Sequence, residues 1–147
     1  MTGKIWLDIP NCCTPGEGLC TGGRPRQGDL QEAKNKGVRK VINLCPLAED
    51  PGYDEAAYVQ QLGMDYVNIP VAGPADLTRA NAQRLADALA NGEGGVLVHC
   101  ASGNRVGALF ALKAHYIDGV PVEQAITDGR AHGLKGSEMA VRQILAA

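Results

Sequence analysis

The 147-residue sequence has no apolar run long enough to span a bilayer, no excess of positive charge and no paired-cysteine metal motif. A membrane-spanning helix needs about 20 consecutive apolar residues. The apolar patch in the opening MTGKIWLDIP is broken by Asp8 and Pro10, so neither a span nor a secretory leader is expected there. With 14 basic residues, 16 acidic residues and a net charge of -2, the chain has no general attraction for nucleic acid or anionic membrane. Any phosphate recognition must therefore be local. The five cysteines, Cys12, Cys13, Cys20, Cys45 and Cys100, are an odd number in a chain large enough to fold without covalent staples, which argues against a secreted disulfide framework. Cys12 and Cys13 are adjacent and have no C-x-x-C partner, so no zinc site is expected. Repeats, low-complexity tracts and linkers are also missing. The expectation is a single domain over residues 1–147, cytoplasmic, with no metal or cofactor and with no nucleic acid or membrane as partner.

What is present is an alternation of strand and helix patterns. PGEGLCTGGRPRQGD is rich in Gly and Pro and reads as a loop around a short strand at Leu19, Cys20 and Thr21. In GDLQEAKNKG, Asp29 is a candidate helix cap, Leu30, Ala33 and Lys34 share a face, and Gly37 is the stop. VRKVINL, residues 38–44, is β-branched and apolar in the manner of a buried strand, closed by Pro46. DPGYDEAAYVQQLG reads as a helix ending at Gly63 and MDYVNIPV as a strand; the loop AGPADLT, the helix RANAQRLADALANG and the strand GVLVHC follow. RVGALFALKAHYIDG, PVEQAITDGRAHG and SEMAVRQILAA make the C-terminal third helical, with Pro121 suited to a first turn. This order predicts an α/β fold with a mostly parallel central sheet flanked by helices.

Chemistry concentrates in VHCASGNRVG, residues 98–107. Ligands of open α/β sheets bind outside the carboxyl ends of the strands, and Cys100 stands at such an end. A free thiol ionises near pH 8.5, roughly, but a helix N-terminus and a nearby cation lower that value. Arg105 and the loop N–H groups from Ala101 onward supply both influences. Gly103 tolerates left-handed dihedrals, so the loop can turn its N–H groups inward as an anion nest. Arg105 adds a planar fork that grips two phosphate oxygens at once. A cysteine beneath a cradle for a tetraoxyanion is a nucleophile aimed at phosphorus; the bland alternative is an inert buried cysteine before an ordinary turn. His99 belongs to the strand, so its side chain should point away from Cys100. His115 and His132 lie on helical segments and read as surface or packing residues. Arg24 and Arg26 in GGRPRQG, with His132 and Lys135 in RAHGLKG, are weaker candidates for approaching an anionic substrate.

The loop VHCASGNRVG resembles the His-Cys signature of the cysteine-dependent tyrosine and dual-specificity phosphatases, and GGRPRQGDLQEAKNKGVRKVINL looks like their early helix and strand. Within that group the sequence most resembles the bacterial beta-lactamase-hydrolase-like phosphatase family, over about residues 18–118. The resemblance implies a dual-specificity-phosphatase-like fold and a hydrolase needing no cofactor. Its substrates would be phosphorylated proteins or small phosphomonoesters, with phosphotyrosine first and phosphoserine or phosphothreonine second. Cys100 would form a phosphocysteine. Arg105 and the N–H groups of Ala101, Ser102, Gly103 and Asn104 would bind phosphate, and His99 would bond the loop backbone and help hold the thiolate.

The family also places an acidic residue upstream of the cysteine to protonate the leaving oxygen, a service worth roughly 10² to 10⁴ in rate. Asp76, after the strand ending near Val71, is the candidate. The competing reading has Asp76 or Thr78 merely capping the next helix, and Asp50 is the reserve, from the Glu49 to Asp54 segment after VINLCP. Certain dual-specificity and lipid phosphatases carry a cysteine after a similar NLC stretch that can form a reversible disulfide with the nucleophile, a resemblance that makes Cys45 a redox-partner candidate; otherwise it is a small buried apolar residue.

Two departures stand against the resemblance. Four residues separate Cys100 from Arg105 where tyrosine phosphatases have five, and Val106 stands where they usually have Ser or Thr. The four-residue spacing also resembles the active loop of rhodaneses, in which the cysteine carries a persulfide. Val106 and the insecure acid leave a third reading open, a catalytically weak phosphate-binding pseudophosphatase.

Overall fold

The computed structural model describes residues 3–147. Its centre is a five-stranded sheet in the order β1-β2-β5-β3-β4. The strands are β1 (Cys13–Gly16), β2 (Leu19–Gly22), β3 (Val38–Asn43), β4 (Asp65–Asn68) and β5 (Gly95–His99). β5 pairs in parallel with β2 and β3, and β3 in parallel with β4, while β1 is an antiparallel edge on β2. Among the described residues six helices surround the sheet: α1 (Gln27–Asn35), α2 (Glu55–Gln61), α3 (Arg79–Ala90), α4 (Asn104–Tyr116), α5 (Val122–Ala131) and α6 (Glu138–Ala146). The mostly parallel α/β architecture with a helical C-terminal third is the one the sequence predicts.

The strand period of two builds a core on each face. Ile42 of β3 and Val98 of β5 pack with Leu85 of α3, Leu109 of α4, Ile126 of α5 and Val141 of α6. Their neighbours Val41 and Leu97 point the other way, onto Leu30 of α1, Val59 of α2 and the N-terminal Ile5 and Leu7. Covering on both faces explains why β3 and β5 read as nearly continuous apolar runs. Because β2, β5, β3 and β4 run in parallel, their carboxyl ends share one edge, and the loops that leave that edge form the candidate site.

Several boundaries differ from the sequence reading. Asp29 is not the cap of α1. The helix begins two residues earlier behind Arg26, and Asp29 sits in the first turn, where its carboxylate accepts from Arg26 N at 2.8 Å. The strand expected over MDYVNIPV contracts to β4, because Pro70 has no N–H to continue the ladder. Pairing nevertheless persists past it, with Val71 N donating to Leu44 O at 2.8 Å. Pro121 caps α5 from one residue outside the helix. β1 lies where the Gly/Pro composition reads as loop, and an edge strand accommodates Pro15 because one side of it pairs with nothing.

Candidate active site

β5 delivers Cys100 to the carboxyl edge of the sheet, and α4 starts four residues later at Asn104. The turn between them depends on Gly103, whose φ of 92° lies in the left-handed region and which serves as the cap of α4. That conformation aims Gly103 N at the cysteine, to whose Sγ it donates at 3.0 Å. The loop carbonyls turn outward: Ala101 O accepts from Arg24 N at 3.1 Å, and Ser102 O accepts from Asn11 Nδ2 at 2.8 Å. With the carbonyls held away, the N–H groups of the loop and of the first turn of α4 are the donors of the site. Cys100 itself is fully buried.

Arg105 projects from the first turn of α4 into a network that fixes how its guanidinium faces. Nη1 and Nη2 donate to the two carboxylate oxygens of Glu49 at 2.8 and 2.9 Å, and Nη1 also donates to Val71 O at 2.8 Å. These bonds occupy the end of the guanidinium and leave the side-on pair, Nε–H and the second Nη2–H, as a fork for two oxygens of an anion. The hydrogen bonds and charge of Arg105 hold the Glu49 carboxyl below its ordinary range, and Glu49, then the nearby Cys100, hold the guanidinium more firmly charged. Sequence reasoning places Glu49 only among the acidic residues after VINLCP, behind Asp50, and does not foresee its pairing with Arg105. The one signal for it was its place just beyond the β3 end that adjoins Cys100.

His99 is buried, and its Nε2 donates to Glu55 Oε2 at 2.6 Å, while Nδ1 lies 3.4 Å from Cys100 O. The imidazole is thus anchored from α2 and faces away from the thiol, as strand alternation requires. Beside it, Cys45, Glu49, Tyr53, Glu55 and Tyr66 line a cavity of about 210 Å³.

Asp76 ends a short 3₁₀ turn, Pro74–Asp76, after β4, and its Oδ2 accepts from Ala72 N at 2.9 Å. It does not cap α3; Thr78 does, accepting from Asn81 N. The segment bearing Asp76 also carries Val71, the carbonyl partner of Arg105. Asp50 is exposed and engaged in its own turn, its Oδ1 accepting from Gly52 N at 2.8 Å. Cys45 lies one strand over from Cys100; its thiol accepts from Arg24 Nη2 at 3.6 Å, and burial pushes it up from its ordinary ionisation range. Arg24 also approaches Glu49 at 3.9 Å, so Glu49 sits between two guanidinium groups.

Other candidates are engaged in structural contacts. The Asn104 side chain binds Lys135 N, Ser137 N and Ser137 Oγ, tying the loop to the α5–α6 connection and leaving its backbone N–H for the site. Arg26 pairs with Asp29 at 3.0 Å, and Lys135 Nζ donates to Asn11 Oδ1 at 3.2 Å. His132 stacks on Phe110 with ring centroids 4.1 Å apart, and His115 donates to Val120 O at 2.8 Å.

Known proteins share this sequence pattern and fold. The family model for the phosphatase-like domain of beta-lactamase hydrolase-like protein matches residues 17–116. The beta-lactamase hydrolase-like protein of Xylella fastidiosa (strain Temecula1) is 38% identical over 122 residues, covering 80% of this chain and 28% of that protein. Its counterpart from Agrobacterium fabrum is 34% identical over 122 residues, with the same 80% and 28% coverage. This chain therefore spans little more than a quarter of the length of those relatives. Among solved structures, a protein from Shewanella putrefaciens CN-32 assigned as a phosphatase (DUF442) is 25% identical with a TM-score of 0.67, covering 95% of this chain and 93% of that one. A cysteine-to-serine variant of P. aeruginosa TpbA in complex with phosphotyrosine is 17% identical with a TM-score of 0.62, covering 94% and 86% of the two chains.

Proposed function

This chain belongs to the phosphatase-like domain family of beta-lactamase hydrolase-like proteins, and on that footing we propose that it hydrolyses phosphomonoesters through a phosphocysteine on Cys100. The Cys100 thiolate attacks phosphorus, forming the S–P bond as the ester P–O bond breaks. Arg105, through its side-on fork, and the loop N–H groups hold the equatorial oxygens while charge develops on them. Asp76 gives a proton to the leaving oxygen; Oδ1 is the oxygen for this, since Oδ2 already accepts from Ala72 N. Water then breaks the S–P bond, Asp76 takes a proton from it, and phosphate leaves. The substrates best suited are aryl phosphates such as phosphotyrosine, the ligand of the TpbA variant with this fold.

The observation that carries the reading is the buried Cys100 Sγ accepting from Gly103 N at the start of α4, beside an arginine anchored so that one edge of its guanidinium stays free. Its test is hydrolysis of p-nitrophenyl phosphate, without added metal, by the wild type and by Cys100→Ser. Phosphate release that disappears in the variant while its melting midpoint is kept supports the reading. Absence of release from well-folded wild type overturns it.

A second reading has its own support in the four-residue spacing from Cys100 to Arg105 and in Val106, which is fully buried and offers no hydroxyl to a departing thiolate. Under it, Cys100 accepts the sulfane sulfur of thiosulfate as a persulfide, releasing sulfite, and passes that sulfur to cyanide as thiocyanate. This chemistry needs no acid. Asp76→Asn separates the two readings: it leaves sulfur transfer unchanged and slows phosphate release by roughly 10² or more.

A further inference from the structure

The β1–β2 hairpin brings together two thiols that the sequence holds eight positions apart. Cys12 Sγ lies 3.6 Å from Cys20 Sγ, in van der Waals contact. Cys12 is half-buried at the edge of the core beneath the sheet, whereas Cys20 sits in β2 within that core with no exposure. Neither takes part in the chemistry proposed for Cys100. We propose that Cys12 and Cys20 are a reversible disulfide site, closed by hydroperoxides, that fastens the strap before β1 to β2, next to the phosphate loop.

The chemistry runs from the accessible thiol inward. Cys12 attacks the peroxide O–O bond, becoming a sulfenic acid and releasing water or an alcohol. Cys20 then displaces the sulfenic oxygen: the S–S bond forms, the S–O bond breaks, and the oxygen leaves as water with the Cys20 proton. Overall, two thiols lose two electrons and two protons to the peroxide. Burial and the neighbouring Cys12 push the Cys20 thiol up, which disfavours it as the group that meets the peroxide first; in the second step its contact with Cys12 at 3.6 Å replaces diffusion. Cys13 is directed elsewhere, its Sγ 3.5 Å from Asn11 O.

The consequence follows from what adjoins Cys12. Asn11 is held at a φ of 51°, and its amide bridges the phosphate loop to the α5–α6 connection, donating to Ser102 O at 2.8 Å and accepting from Lys135 Nζ at 3.2 Å. One residue earlier, Pro10 O accepts from Gly23 N at 2.7 Å. The Pro10–Cys12 strap thus touches the outer side of the catalytic turn, and a covalent bond at Cys12 removes its freedom to detach.

Glu17 lies between the two cysteines, so cleavage there by a glutamate-specific protease makes the bond visible. After hydrogen peroxide treatment of the whole chain, the two flanking peptides are expected to remain joined through Cys12 and Cys20 and to separate on reduction. Cys13→Ser should keep the joined species and Cys12→Ser should lose it. The melting midpoint of oxidised wild type should rise by several degrees and fall back with reductant, while Cys12→Ser shows no such shift. Separate peptides, a link through Cys13, or Cys12 recovered as sulfinic acid would overturn the proposal. The wild-type and Cys13→Ser maps decide the matter even if Cys12→Ser does not fold.

Discussion

At the scale of single residues, the site turns on how Glu49 disposes of Arg105. A free guanidinium can meet an anion by either of two edges, and the bidentate Glu49 contact removes one of them. Glu49→Gln keeps the shape but replaces one acceptor oxygen with an NH₂ group, which would face an Nη–H. What the rate reads is the fixed direction of the guanidinium rather than the energy of the exposed pair itself, and a misplaced binding group costs up to roughly 100-fold. The expected result is that fall in kcat/KM for p-nitrophenyl phosphate with little change in melting midpoint, since the Glu49 side chain is 35% exposed. Arg105→Lys should cost at least as much, because an ammonium cannot hold two oxygens and Glu49 together. Steady-state kinetics check both, and a Glu49→Gln enzyme with unchanged kcat/KM would remove Glu49 from the mechanism. Cys100 and Arg105 were legible in the sequence because they sit five positions apart in one turn. The contact of Glu49 with Arg105 was not, since the two lie 56 positions apart and only the pairing of β3 with β5 brings them together.

Among the elements, the strand-to-helix junction carries the most constraint. Gly103 needs its positive φ to direct its N–H at Cys100 Sγ, and a Cβ there would meet Gly22 backbone at 3.4 Å. Gly103→Ala should therefore lower turnover by about 10-fold or more while costing roughly 1 to 2 kcal/mol of stability. Gly107, one turn into α4, is constrained by packing instead. A Cβ at that position would fall 1.9 Å from Leu134 N, so Gly107→Ala must push α4 away from the segment after α5. That displacement places its cost among the large ones, about 3 kcal/mol or more, and thermal unfolding should show a drop of many degrees. Gly103 could be assigned a role from sequence because it lies inside the loop. Gly107 reads there as one more small residue in a helix, and only the crossing of α4 with the α5–α6 connection gives it meaning. The same contrast applies to β1. Its Thr-Pro-Gly composition signals loop, and its strand conformation comes from the neighbouring β2 rather than from its own propensity.

For the whole molecule, the helical third behind the loop couples stability to pH through His132. The ring is stacked on Phe110 and donates to Asp128 O at 2.6 Å, and burial pushes it below its ordinary value of 6.5. Because the folded chain then binds a proton at His132 less readily than the unfolded chain does, unfolding takes up a proton as pH falls below 6.5. Stability from this group is complete above pH 6.5 and declines as pH drops toward the depressed folded value, with a slope of at most about 1.4 kcal/mol per pH unit. The carboxylates with depressed values, Glu49 among them, act lower, as pH falls below the ordinary 4.5 of a glutamate. Denaturant unfolding of the wild type between pH 7 and 5 should thus show declining stability. His132→Phe, which keeps the stack on Phe110 and removes the titrating ring, should flatten that decline. The readout extends to the site, because Gly133, the next residue, packs with its Cα side against Gly103 O, and Thr21 Oγ1 donates to His132 O at 3.1 Å. A proton forced onto His132 would loosen the support on which the Cys100–Gly103 turn rests. A wild-type slope that persists unchanged in His132→Phe would assign the acid sensitivity to another group.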